Sequence, residues 1–249
     1  MRLSFLSVYS IITLNEGDGH MMHYRKFGIS QEGLKLIACM TMLIDHIGAV
    51  FFPHTPWLRI IGRVSFPIYC FLLAEGIHYT RGPLKYGLRL LLVAVIAELP
   101  YDLLFYKQFT WSHNSVMVTL LLGFGAGIAV KHCPGWLKVL APLPFLLVSR
   151  YLHGSYGMNG VWMILLFLAT RQIPGRSAVQ TILMILLSLH MAGFPNYIGI
   201  QFYAVLAMIP IFLYSGEKKS NNKAVQWSFT LFYPVHLLLL LLFRIISRI

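Results

Sequence analysis

Residues 34–53 read LKLIACMTMLIDHIGAVFFP, and this stretch decides the fold. It is about twenty residues long, the length a helix needs to cross a bilayer. Its only ionisable side chains besides a cysteine are Lys35 at one end and the adjacent Asp45 and His46 past the middle. An ionisable group at that depth costs about 2.5–3.5 kcal/mol on insertion scales. Two neighbouring ones therefore require partners inside a helical bundle, because lipid cannot solvate them.

The remainder of the chain has the same character. Of 249 residues, 57% are hydrophobic and 11% charged, and the mean hydropathy is +0.70. These values exclude a soluble globular domain and indicate an all-α, polytopic integral membrane bundle. The net charge of +12 does not point to nucleic acid, since the basic residues form no block and sit mostly in short loops between apolar runs. Cys39, Cys70 and Cys133 are too dispersed for a disulfide framework or a zinc site and read as buried apolar thiols. No metal is expected.

Hydrophobic runs and their breaks predict nine spans, near 34–53, 58–80, 84–106, 116–131, 136–150, 157–171, 177–194, 197–214 and 228–246. The fifth and sixth are short, and Pro142 and Pro144 interrupt the fifth, so eight spans are the alternative. Residues 1–30 are expected to form an N-terminal cytoplasmic segment. Its opening MRLSFLSVYSIITL is too short to span, and Met21 or Met22 is a possible start of translation. Residues 31–249 form the transmembrane domain. Alternate loops and flanks concentrate positive charge, including Arg25, Lys26, Arg81, Lys85, Arg89, Arg171, Arg176, Lys218 and Lys219, whereas the opposite side keeps few. The positive-inside rule then puts the N-terminus in the cytoplasm and the C-terminus outside.

The chain has eight acidic residues, and four of them, Asp45, Glu75, Glu98 and Asp102, fall in or at the ends of the first three long apolar segments. Intramembrane carboxylates usually face the bundle interior and mark function. Arg59 and Arg63 are four apart, on one helical face. Glu98 and Asp102 are also four apart, with Pro100 between them to kink the helix. Asn114 opens the fourth span and His236 sits mid-depth in the last. Each residue also has a structural explanation. Asp45 can form a buried ion pair with Arg63, Glu75 can pair with Arg81, Glu98 and Asp102 can cap the kink, and Asn114 can cap a helix.

Chemically, His46 can serve as general base or acyl-accepting nucleophile. A carboxylate from another helix, Glu98 or Asp102, is the better candidate to orient it, because adjacent Asp45 points about 100° away on the helix. From chemistry alone a membrane enzyme and a proton- or cation-coupled transporter compete, with a non-catalytic assembly factor as a third reading.

The motifs KLIACMTMLIDHIGAVFFP, LRIIGRVSFPIYCFLLAEG, KYGLRLLLVAVIAELPYDLLF, HNSVMVTLLLG, YGMNG and LFYPVHLLLL occur in this order from residue 35 to residue 240. Together they resemble the TraX family, named for the conjugative pilin N-acetylase, and especially its shorter relatives of Gram-positive type. The resemblance implies an acyltransferase of the bacterial plasma membrane. Such a protein takes acetyl from cytosolic acetyl-CoA, here a co-substrate, and delivers it to an extracytoplasmic acceptor such as a pilin, peptide or glycan. It places catalysis on His46, with Asp45, Glu98 and Asp102, and adds Arg63, Asn114 and His236 as a polar cluster. Glu75 would sit at the donor entrance. The positive charges of Arg81, Lys85 and Arg89 suit the phosphates of CoA, although topogenic charge explains them equally well.

Overall fold

The first long helix starts where Ser30 accepts a hydrogen bond from the Gly33 amide, an N-cap with Glu32 in the first turn. This helix, α1 (Gln31–Phe51), opens a chain whose longer elements are all helices among the described residues, which in this computed structural model are 28–110, 113–152, 155–195, 198–220 and 222–247. The reading of the first fourteen residues lies outside them. Along α1 the buried positions Leu34, Ala38, Met42, Asp45 and His46 follow helical spacing, while Leu36 and Met40 face outward. The bundle thus turns its polar residues inward and an apolar surface outward, as a lipid-solvated protein must.

The second predicted span is broken into α2 (Pro56–Gly62) and α3 (Ser65–Tyr79). Pro67 has no N–H to donate to the carbonyl of Arg63 and crowds it, so the chain turns through Arg63 and Val64 with tighter bonds to Arg59, Ile60 and Ile61. α4 (Pro83–Phe105) runs through Pro100, and α5 (Val116–His132) follows a loop. The fifth span divides at Pro142 into α6 (Leu137–Leu140) and α7 (Leu143–Tyr151), as its prolines suggested. α8 (Gly157–Thr170) and α9 (Arg176–Ala192) are regular. The eighth span is mostly a 3-10 segment, Ile200–Ala207, continuing into α10 (Met208–Phe212). α11 (Lys223–Ile246) closes the bundle.

The segments Gln31–Phe51, Pro56–Tyr79 and Ala224–Ile246 are long and apolar enough to cross a membrane, and α4 has 23 residues, about 34 Å of helix. α5, α8 and α9 match their predicted spans to within about two residues, whereas the fifth and eighth spans are divided into shorter pieces. α1 packs on α2, α3 and α11; α4 packs on α5 and α11; α8 joins α3, α5, α7 and α9. In this helical membrane protein small residues set the close contacts, as when Gly48 lies against Leu58 where α1 crosses α2. One short pairing is not helical: Ile29 donates to the Leu213 carbonyl and accepts from the Ser215 amide, tying the start of α1 to the segment before α11. Cys39 and Cys70 are buried, and Cys133 is only half-buried, contrary to its expected burial.

Candidate active site

Asp45 is held by two arginines. Arg59 Nη1 donates to Asp45 Oδ2 at 2.6 Å and to the Asp45 carbonyl at 3.0 Å, and Arg63 Nη2 donates to Asp45 Oδ1 at 2.6 Å. The four-residue spacing of the arginines brings both guanidiniums to one carboxylate. The contact is close enough that a Cβ on Gly62 would lie 2.1 Å from the Asp45 side chain, so only glycine fits between them. Arg63 also donates to Gln201 Oε1 at 3.1 Å, linking the ion pair to the 3-10 segment.

His46 turns from this cluster toward α11. Its Nδ1 lies 2.7 Å from His236 Nε2, with ring centroids 5.0 Å apart and planes within 8° of parallel, which is the geometry of an in-line N–H···N bond between near-coplanar rings. His236 Nδ1 in turn lies 2.7 Å from the Phe232 carbonyl. A carbonyl only accepts, so His236 Nδ1 carries the proton, and in a neutral ring its Nε2 is then an acceptor. His46 Nδ1 must therefore donate, which leaves a lone pair on His46 Nε2. The rings of Phe232 and Tyr233 hold His236 from two sides, and Phe105 packs edge-on against His46.

Glu98 and Asp102 make no hydrogen bond to His46. Glu98 accepts from the Ser115 amide at 2.9 and 3.2 Å, a carboxylate at the N-terminus of α5. Asp102, fully buried, accepts from the Thr110 amide at 2.9 Å, and its Oδ1 has no hydrogen-bond partner among the described residues. The two carboxylates clamp the loop from α4 to α5 rather than orienting the histidine. Asn114 donates to the Leu152 carbonyl, and its own carbonyl accepts from the Ser155 amide and hydroxyl, so it joins α5 to the end of α7.

Glu75 pairs with Arg171, not Arg81: Arg171 Nε donates to Glu75 Oε1 at 2.8 Å, fixing α3 to the end of α8. Arg81 and Lys85 are exposed. Arg89 lines a cavity of about 290 Å³ in the half of the bundle where α1 begins.

A larger cavity, about 540 Å³, occupies the half where α1 ends. Asp45, His46, Arg59 and Arg63 form one wall, and Tyr101, Tyr106, His113 and Tyr156 contribute polar-tipped rings to the others. Asn114 also lines it, whereas Glu98, Asp102 and His236 stand behind its surface. The arrangement brings a basic imidazole nitrogen, a guanidinium pair and a solvent-sized space together, which suits proton or acyl transfer.

The family model described as "TraX protein" matches residues 30–244. The chain belongs to the TraX family. It is 30% identical over 243 residues to the "Probable fimbrial assembly protein FimC, serogroup H1" of Dichelobacter nodosus, covering 87% of this chain and 96% of that protein. It is 32% identical over 93 residues to the "Uncharacterized protein RP591" of Rickettsia prowazekii (strain Madrid E), covering 37% of this chain and 34% of that protein. No solved structure matches.

Every site residue of this TraX-family chain, from Asp45 to His236, falls inside the matched segment. Sequence reasoning did not select Arg59, Gly62, Gln201 or the cavity tyrosines for the site. Arg59 had a signal, its spacing from Arg63. Gln201 had a weaker one, as a lone amide in the apolar run IGIQFYAVLAMI.

Proposed function

We propose that this TraX-family protein is a plasma-membrane acetyltransferase, moving acetyl groups from cytosolic acetyl-CoA to an amine or hydroxyl on the extracytoplasmic side. The observation that carries this reading is the run from the Phe232 carbonyl through His236 to His46, which leaves His46 Nε2 basic beside the larger cavity. His46 Nε2 takes a proton from the acceptor as its nitrogen or oxygen attacks the thioester carbonyl carbon. The C–S bond breaks as the new C–N or C–O bond forms, and the proton passes from His46 to the departing thiolate. If Nε2 itself attacks, its C–N bond forms as C–S breaks and the thiolate leaves. The acceptor then attacks the acyl carbon, the C–Nε2 bond breaks, and the freed Nε2 takes the acceptor's proton and passes it to the thiolate. In either route His236 Nε2 accepts from His46 Nδ1 and stabilises the imidazolium. Arg59 and Arg63 together exceed the charge of Asp45 by one, so the cavity wall favours negative charge developing on the carbonyl oxygen.

Positive-inside orientation puts the basic end of α1 in the cytoplasm and the His46 half toward the exterior. The fimbrial-assembly name of the Dichelobacter relative makes a pilin-type peptide the first acceptor to try, ahead of glycans and wall polymers. A proton- or cation-coupled transporter would use carboxylates or histidines whose charge changes during the cycle. Asp45 lies between two guanidiniums and Glu75 on a third, which supports fixed charges at these two positions.

The test is to supply radiolabelled acetyl-CoA to the cytoplasmic face of right-side-out or inverted vesicles. Label appearing on extracytoplasmic peptide or glycan, dependent on His46, is the expected result. Retained label transfer by His46→Gln, or proton flux with no need for acetyl-CoA, would overturn the reading.

A further inference from the structure

The two cavities share four lining residues, Met42, Tyr69, Val116 and Tyr233. Along α1 and α3 the shared residue lies between the residues of one chamber and those of the other. On α1 the order is Lys35, Met42, His46; on α3 it is Ser65, Tyr69, Gly76; on α11 Gln226 and Thr230 precede Tyr233. The two chambers meet at these four side chains.

The smaller chamber is basic at one end and apolar toward these four side chains. Lys35, Arg89 and Lys218 line it, from three separate segments. Lys218 is brought there by the pairing of residues 29–31 with 213–217, where Gln31 donates to the Glu217 carbonyl at 2.8 Å. The ion pairs among the described residues join Asp45 and Glu75 to arginines and leave these three cations out. The nearby Glu32 carboxylate accepts from the Lys219 and Ser220 amides instead. The Lys35 ammonium lies 5.6 Å from the Phe229 ring centroid and the Arg89 guanidinium 5.0 Å from that of Tyr86, so aromatic faces steady both groups. Deeper in, Leu73, Leu90, Val93 and Leu120 form the wall.

We propose that this chamber binds the acyl donor, with its phosphates on Lys35, Arg89 and Lys218, a long neutral arm along the apolar wall, and its acyl end passing between Met42, Tyr69, Val116 and Tyr233 to His46. The proposal rests on the acetyltransferase reading and specifies its donor. Lys35 and His46 are separated by eleven residues of α1, about 16 Å at 1.5 Å per residue. Acetyl phosphate, whose acyl group is bonded directly to phosphate, cannot touch the cations and reach His46 together. A thioester at the end of a phosphopantetheine arm can. An anionic lipid headgroup offers the same phosphates from another source.

The experiment measures binding of labelled CoA to the full chain in phosphatidylcholine nanodiscs. Lys35→Ala, Arg89→Ala and Lys218→Ala are compared with Arg81→Ala and Lys85→Ala, exposed cations that do not line the chamber. Each of the first three should weaken binding by about ten-fold or more, as loss of a charge-assisted contact does. The two controls should bind as the unmodified protein does, and phosphate-free pantetheine should not distinguish any of them. Lys218→Ala changes an exposed loop residue, so a loss there cannot be ascribed to misfolding. Equal CoA affinity in all five variants overturns the proposal. If phosphatidylglycerol binds through the three cations and CoA does not bind at all, the phosphate site belongs to lipid and the donor assignment falls. Acetyl release that ignores the three cations overturns the donor site while leaving the acetyltransferase reading intact. CoA held by the cations without any acetyl release supports the site and overturns that reading.

Discussion

His46 and His236 stand 190 residues apart in the chain and are joined at 2.7 Å, nitrogen to nitrogen. The bond ties α11 to α1, and the Phe232 carbonyl behind it sets its direction. One backbone oxygen thereby determines which nitrogen of His46 is basic. Pro234 sits in the same turn and removes the N–H that would otherwise bond to the Thr230 carbonyl, loosening the helix around His236.

If His236 positions His46, His236→Phe should lower acetyl-CoA turnover by about 10–100-fold, the usual cost of losing such an outer partner. The KM for acetyl-CoA should hold. His236→Gln, whose carbonyl can accept from His46 Nδ1, should recover much of the loss. Steady-state kinetics on the three proteins checks this, and a purely structural role for His236 would show no such recovery.

Asp45→Asn removes the charge that neutralises two largely buried guanidiniums. Breaking a buried pair in this way costs about 3–5 kcal/mol, so unfolding in mixed micelles should shift strongly. Gly62→Ala should destabilise too, because its Cβ would occupy the position of the Asp45 side chain.

Glu98 and Asp102 hold a loop and do not touch His46. Glu98→Ala should cost about 1–3 kcal/mol of stability as the Ser115 amide loses its acceptor. Glu98→Gln and Asp102→Asn keep an acceptor and should leave turnover almost unchanged. Asp102 Oδ1 has no hydrogen-bond partner among the described residues, so unfolding assays on Asp102→Asn should show little loss of stability. A large loss of turnover in folded Asp102→Asn would restore it to the catalytic group.

Glu75 and Arg171 should behave as a unit far from the chemistry. A double-mutant cycle with Glu75→Gln and Arg171→Gln should give a coupling of about 0.5–3 kcal/mol in stability. CoA binding should not respond, since neither residue lines the basic chamber.

Much of this was legible in the sequence because lipid penalises each buried polar group separately. The nine apolar segments each contain helix, and the Asp45–Arg63 pair followed from opposite charges at similar depth. The orienter of His46 was not legible. Glu98 and Asp102 lie at a suitable depth, but their rotation about the α4 axis aims them at the loop, whereas closure of α11 on α1 brings in His236. Depth can be counted along a sequence; the angle around a helix, relative to distant partners, cannot. The same reason separates Glu75 from nearby Arg81 and joins it to Arg171, 96 residues away. The break at Arg63 had a visible cause in Pro67, yet the 3-10 form of Ile200–Ala207 had no comparable marker.

The central claim is that His46 Nε2 is the working base, and the rate of CoA release from acetyl-CoA tests it most directly. Folded His46→Gln protein, compared with the unmodified chain in the same detergent, should release CoA about 10²–10⁴-fold more slowly. Equal rates from the two proteins would contradict the account.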